Sequence, residues 1–120
     1  MRKSILVFFL ILGASLSHAQ DKNKTVTFEV KGNCGMCKSR IEKTAIKIAG
    51  VKFALWNVDT KEFKAIIDER KCSIDMVKKK IAGIGHDIEG YTAPLDVYDN
   101  LPACCQYRNP ESIHMNHGKH

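Results

Sequence analysis

TVTFEVKGNCGMCKSRIEKTAIKIAG, residues 25–50, changes its hydrophobic period halfway along. Val26, Phe28 and Val30 alternate with polar residues, the pattern of a half-buried strand, which we place at residues 25–31. Gly32 and Asn33 break it. From Met36 the apolar residues recur at Ile41, Ala45 and Ile48, the spacing of one helix face. A helix is expected over 36–49, with Gly50 as its terminating glycine. Cys34 and Cys37 fall at the junction, in the loop and the first helical turn. Thiols three residues apart there face one point in space. The unpaired backbone N–H groups and the positive end of the helix dipole favour thiolate over thiol. Such a pair is either a soft-metal clip or a redox couple.

Working outward, residues 51–58 carry Val51, Phe53 and Leu55 in alternation with Ala54, Trp56 and Val58, a second strand with Trp56 in the core. Asp59, Thr60 and Lys61 form a turn, and Phe63, Ala65 and Ile67 continue as a third strand, so the pair predicts a hairpin. Ser73 is an N-cap with Asp75 in the first turn. Ile74, Val77 and Ile81 make the apolar stripe of a second helix that Gly83 and Gly85 end, and Met76 is assigned to the core with it. Residues 87–91 are expected as a short final strand. The order β-α-β-β-α-β is the ferredoxin-like plan, an α+β sandwich with a four-stranded antiparallel sheet and two helices on one face. Beyond residue 91, Pro94, Pro102 and Pro110 interrupt the pattern. Residues 92–120 read as an irregular extension in which Val97, Tyr98 and Leu101 form one helical turn, and Tyr91, Tyr98 and Tyr107 pack it onto the domain.

The N-terminus reads as an address. Arg2 and Lys3, an apolar run from Ile5 to Leu12, and Ser17-His18-Ala19 match a signal peptide over residues 1–19. The run is too short to span a bilayer, so no stable membrane span is expected after cleavage, and an exported, periplasmic location is. The formal charge of +6 becomes +4, 17 basic against 13 acidic residues, once Arg2 and Lys3 are removed. Lys78-Lys79-Lys80 reads as a solvated helix face. Without interleaved aromatic and basic residues, nucleic acid is not an expected partner. The five cysteines are an odd number, so they cannot all pair within the chain.

Strand, Gly32-Asn33-Cys34-Gly35-Met36-Cys37, helix, Gly50-Val51, hairpin, helix and glycine turn together resemble the heavy-metal-associated domain. The resemblance covers residues 24–91. That family includes copper chaperones, periplasmic mercury-binding proteins and the N-terminal modules of metal-pumping ATPases. One departure is plain: the family carries Gly-Met-x-Cys-x-x-Cys, whereas Lys31-Gly32-Asn33 precede Cys34 here, so the methionine under the loop is missing. The resemblance implies metal capture by Cys34 and Cys37 and transfer to a metal-transporting ATPase or another carrier. It also places His86, in Gly83-Ile84-Gly85-His86-Asp87, beside the metal loop as a candidate third ligand.

Thiolates select soft ions. Two sulfurs suit Cu(I) first, then Hg(II), whereas Zn(II) needs further ligands. Cys104 and Cys105, adjacent and poorly placed to bridge each other, are candidate accessory ligands, as are His114, His117 and His120 around Met115. Cys72 reads as a small, partly buried residue. Lys38, Arg40 and Lys43 are expected to hold thiolate charge beside the loop. Two rival functions remain. A thiol–disulfide oxidoreductase would also place CxxC at a helix start, but it usually has Trp before the first cysteine and Pro between the two, and Asn33 stands before Cys34. A disulfide-stapled interaction module would hold Cys34 and Cys37 oxidised. Neither a phosphate loop nor a hydrolytic triad is present, and an enzyme is not the expected function.

Overall fold

The computed structural model describes residues 21–111, so the signal peptide expected at 1–19 and the tail residues His114, Met115, His117 and His120 lie outside the described residues. Strand β1 (Lys24–Glu29) leads into helix α1 (Gly35–Ile46), then the hairpin β2 (Val51–Trp56) and β3 (Glu62–Ile67), helix α2 (Ile74–Gly83), the short helix α3 (Leu95–Asp99) and a 3₁₀ turn (Ala103–Cys105). The sheet order is β1-β3-β2, antiparallel throughout. Val26 lies opposite Ala65 and Phe28 opposite Phe63. The two phenyl rings stand 4.9 Å apart. These residues share one core with Ile41 and Ala45 of α1 and with Val77 and Ile81 of α2. Among the described residues no helix is long and apolar enough to cross a membrane.

Ser73 caps α2 as expected, its Oγ accepting the Met76 N–H at 3.2 Å. Met76 itself is corrected: it is 43 % exposed. Ile74, Val77 and Ile81 keep one helix face, and a residue two after Ile74 is turned well away from it. The strict alternation read for β2 is corrected as well. A register shift between Val51 and Phe53 puts Val51 on the same side as Trp56 and leaves Phe53 and Leu55 exposed.

The four-stranded sheet is the larger correction, because the described residues form a three-stranded sheet. Residues 87–91 make only isolated bridges, Val30 to Ile88 and Ile88 to Tyr91. The cause is local. Ile88 and Tyr91 exchange both backbone hydrogen bonds at 2.9 Å across a turn in which Gly90 has φ +84°, so the segment pairs with itself. Asp87 then accepts the Ala93 N–H at 2.7 Å, which directs the chain into the extension.

Candidate metal centre

Cys34 is the N-cap residue of α1, in extended conformation, and Cys37 stands in the first turn. Their sulfurs are 3.7 Å apart and both residues are buried. The loop before them is supported by Trp56. A Cβ built on Gly32 would meet the Trp56 ring at 2.9 Å and the Cys37 Cβ at 3.1 Å, so only glycine lets the loop lie this close. The indole Nε1–H donates to the Val30 carbonyl at 3.0 Å and fixes the ring there. The family's missing methionine falls at Gly32, and an aromatic from β2 fills the space beneath the loop in its place.

The extension then closes over the loop. Leu101 packs at Gly85, whose φ is +116°. The Tyr107 hydroxyl donates to the Gly85 carbonyl at 2.7 Å and accepts the Asp87 N–H at 2.8 Å. The Arg108 guanidinium forks onto the Asp87 carboxylate at 2.7 and 3.0 Å, and the Arg108 N–H donates to the Tyr98 hydroxyl at 2.9 Å. These contacts hold the 3₁₀ turn so that Cys105 Sγ lies 3.6 Å from Cys34 Sγ and 4.0 Å from Cys104 Sγ. Cys104 Sγ in turn reaches Met36 Sδ at 3.5 Å. The sulfurs of Cys34, Cys104 and Cys105 all lie within 4.8 Å of one another, and all three residues are buried. Cys37 joins this group through Cys34 and through Cys105.

The electrostatics divide the thiols. Cys37 is held well below an ordinary thiol, at about 5, chiefly because the Cys105 thiol donates to it, and the N–H groups of Asn33 and Cys34 add to this against the cost of burial. Cys105, which keeps the donated proton, is pushed up by that same bond and by burial. Burial also pushes Cys34 up. His86 is fully buried; its Nδ1 lies 2.8 Å from the Lys31 carbonyl and so carries the proton it donates. Nε2 faces an Arg40 N–H at 3.5 Å. Burial lowers the imidazole pKa, outweighing the carbonyl and Cys37, which favour the charged ring.

Of the sequence-derived candidates, the structure brings Cys34, Cys37, Cys104 and Cys105 together. It sets His86 beside them with both ring nitrogens engaged. Cys72 is buried away from the cluster, near Gly50. The three cations expected at the loop separate: Lys38 is bound to Glu42 and to the Trp56 carbonyl, Lys43 is exposed, and Arg40 faces His86 and favours the ionised form of Cys105. Both cysteines of the loop are covered. Tyr98 and Tyr107 pack the extension as expected, whereas sequence reasoning missed the Arg108–Asp87 pair that completes the clasp, for which no local pattern gives a signal, and the contact of Met36 with Cys104. Chemically, the cluster offers four thiols and a thioether, a donor set for soft ions.

No family model matches the chain, and no curated protein does. Solved structures do. A CopZ metallochaperone is 29 % identical, with TM-score 0.53 over 54 % of this chain and 98 % of its own. The N-terminal domain of a potential copper-translocating P-type ATPase from Bacillus subtilis, in the Cu(I)-loaded state, is 25 % identical, with TM-score 0.53 over 55 % and 84 %. Oxidized MerP from Ralstonia metallidurans CH34 is 26 % identical, with TM-score 0.51 over 56 % and 97 %. The resemblance read from residues 24–91 thus holds in three dimensions: the chain carries a fold like that of heavy-metal-associated domain proteins, with a cysteine cluster at the metal loop.

Proposed function

We propose that this chain is an exported, periplasmic soft-metal carrier that captures Cu(I) or Hg(II), with Zn(II) the weaker alternative, and passes it to a metal-transporting ATPase or another carrier. Cys34 and Cys37 are the capturing thiolates. Cys104 and Cys105 are accessory ligands, and the histidines of the tail add a low-specificity site. His86 would become a ligand only by giving up its contact with Arg40.

The observation that carries this reading is the sulfur cluster, four buried thiols linked by contacts of 3.6 to 4.0 Å with no carboxylate among the converging ligand atoms. Such a set excludes hard ions and accepts soft ones. The delivery step rests on the neighbours, which include a metallochaperone and a copper-translocating ATPase domain. Anaerobic titration of the reduced chain with Cu(I) against a competing chelator tests it. Tight uptake that disappears in Cys34→Ser/Cys37→Ser is the expected result, and repeats with Hg(II) and Zn(II) rank the ions. A wild type that takes up no ion overturns the reading.

A further inference from the structure

We propose that Cys34, Cys104 and Cys105 form a closed three-thiolate site for a soft ion, with Cys37 outside the final ligand set. This rests on the soft-metal reading above and refines which sulfurs hold the ion. The argument is geometric. Metal–thiolate bonds are about 2.3 Å long, so two sulfurs on a linear ion stand about 4.6 Å apart and three around a trigonal ion about 4 Å apart. Cys34 and Cys37, at 3.7 Å, are too close for a linear ion between them. Cys34, Cys104 and Cys105 have separations of 3.6 and 4.0 Å, and the third is within 4.8 Å. They approach the trigonal triangle with little movement.

Two further features belong to a built site. The vicinal pair is held from both sides, by Leu101 at Gly85 before it and by the Tyr107–Arg108 clasp on Asp87 after it, so its sulfurs are placed before any ion arrives. Arg40, on α1, favours the ionised form of Cys105, and its charge offsets the surplus of three thiolates over a divalent ion. Charge balance therefore favours a divalent soft ion such as Hg(II) over a monovalent one. Cys37, with its sulfur 3.7 Å from that of Cys34 at the helix start, is placed to share the ion with Cys34 on first contact. On closure the ion gains bonds to Cys104 and Cys105; the Cys104 proton goes to solvent and the Cys105 proton passes to Cys37. It loses its bond to Cys37, which is left as a neutral thiol, so that three thiolates face the ion and Arg40.

Sulfur counting by X-ray absorption on the reduced full chain, loaded anaerobically with one equivalent of Hg(II), tests this. Three sulfurs are expected in the wild type and in Cys37→Ser, and two in Cys104→Ser/Cys105→Ser. The wild-type count does not depend on how any variant folds. Two sulfurs in the wild type, or a drop to two in Cys37→Ser, overturns the three-thiolate site and leaves the carrier reading standing. A wild type that binds no Hg(II) and no Cu(I) overturns both.

Discussion

Cys34 and Cys37 occupy one helical turn, yet they differ in how readily they ionise. The N-cap sulfur is buried without enough donors, so burial keeps its proton on. The first-turn sulfur accepts from Cys105 and from two backbone N–H groups, and its thiolate persists down to about pH 5. Thiolate absorbance of the reduced, metal-free protein should therefore show one early step, absent in Cys37→Ser. Removing the donor in Cys105→Ala should move that step upward by about one unit or more. An unmoved step would mean that the backbone alone activates Cys37. Linkage fixes a second outcome. The folded value lies below the ordinary thiol value of 9.0, so the stability from this thiolate is complete above about pH 9 and is lost as pH falls toward about 5. The urea midpoint of the metal-free protein should fall over that window, and Cys37→Ser should flatten the slope. The paired thiols were legible in the sequence because their chemistry is set by a helix start three residues long. The choice of Arg40 over Lys38 and Lys43 was not, because it depends on Glu42 and the Trp56 carbonyl drawing Lys38 away.

At the scale of elements, what was legible is what has a period. Three strands and two helices follow from alternation and from the i, i+3, i+7 stripe, because each buries one face and the pattern records which. The fourth strand failed because four residues around a glycine at positive φ carry too little pattern to distinguish pairing with β1 from pairing with themselves. The support beneath the loop failed for another reason. Trp56 read correctly as core, but nothing local to β2 says that its ring fills the side-chain space of Gly32, 24 positions earlier. That packing predicts coupling between the two positions. Gly32→Ala drives a Cβ into the ring and should cost about 1–3 kcal/mol by overpacking. Trp56→Phe should cost about 1–3 kcal/mol alone, through lost volume and an unsatisfied Val30 carbonyl. In the double mutant the smaller ring makes room, so the costs should sum to less than the two singles by about 1 kcal/mol. Additive costs in urea denaturation would show that the ring does not support the loop.

Across the whole molecule, the deciding contact joins Cys34 to Cys105, 71 residues apart. No periodicity reports a contact of that separation, which is why the vicinal cysteines read only as candidates while the loop they cover was identified outright. The extension that brings them there is fastened by the packing of Tyr98 and Leu101 into the core and by polar contacts, two of which the Tyr107 hydroxyl makes. That hydroxyl both donates to Gly85 and accepts from Asp87, so Tyr107→Phe removes two hydrogen bonds and leaves the Asp87 N–H without its partner. The cost is about 1–3 kcal/mol, and each 1.4 kcal/mol raises the fraction of molecules with the clasp open about tenfold. Amide exchange in residues 102–108 should quicken accordingly, while that in β3 should not. If a bound ion leaves through the opened extension, its transfer to a competing dithiol should accelerate by the same factor in Tyr107→Phe, and again in Arg108→Gln, which releases the other half of the clasp. Faster exchange in the extension with an unchanged transfer rate would show that the ion leaves by the Cys37 side with the extension still closed. The extension would then be a static ligand arm, and it would not set the rate of delivery.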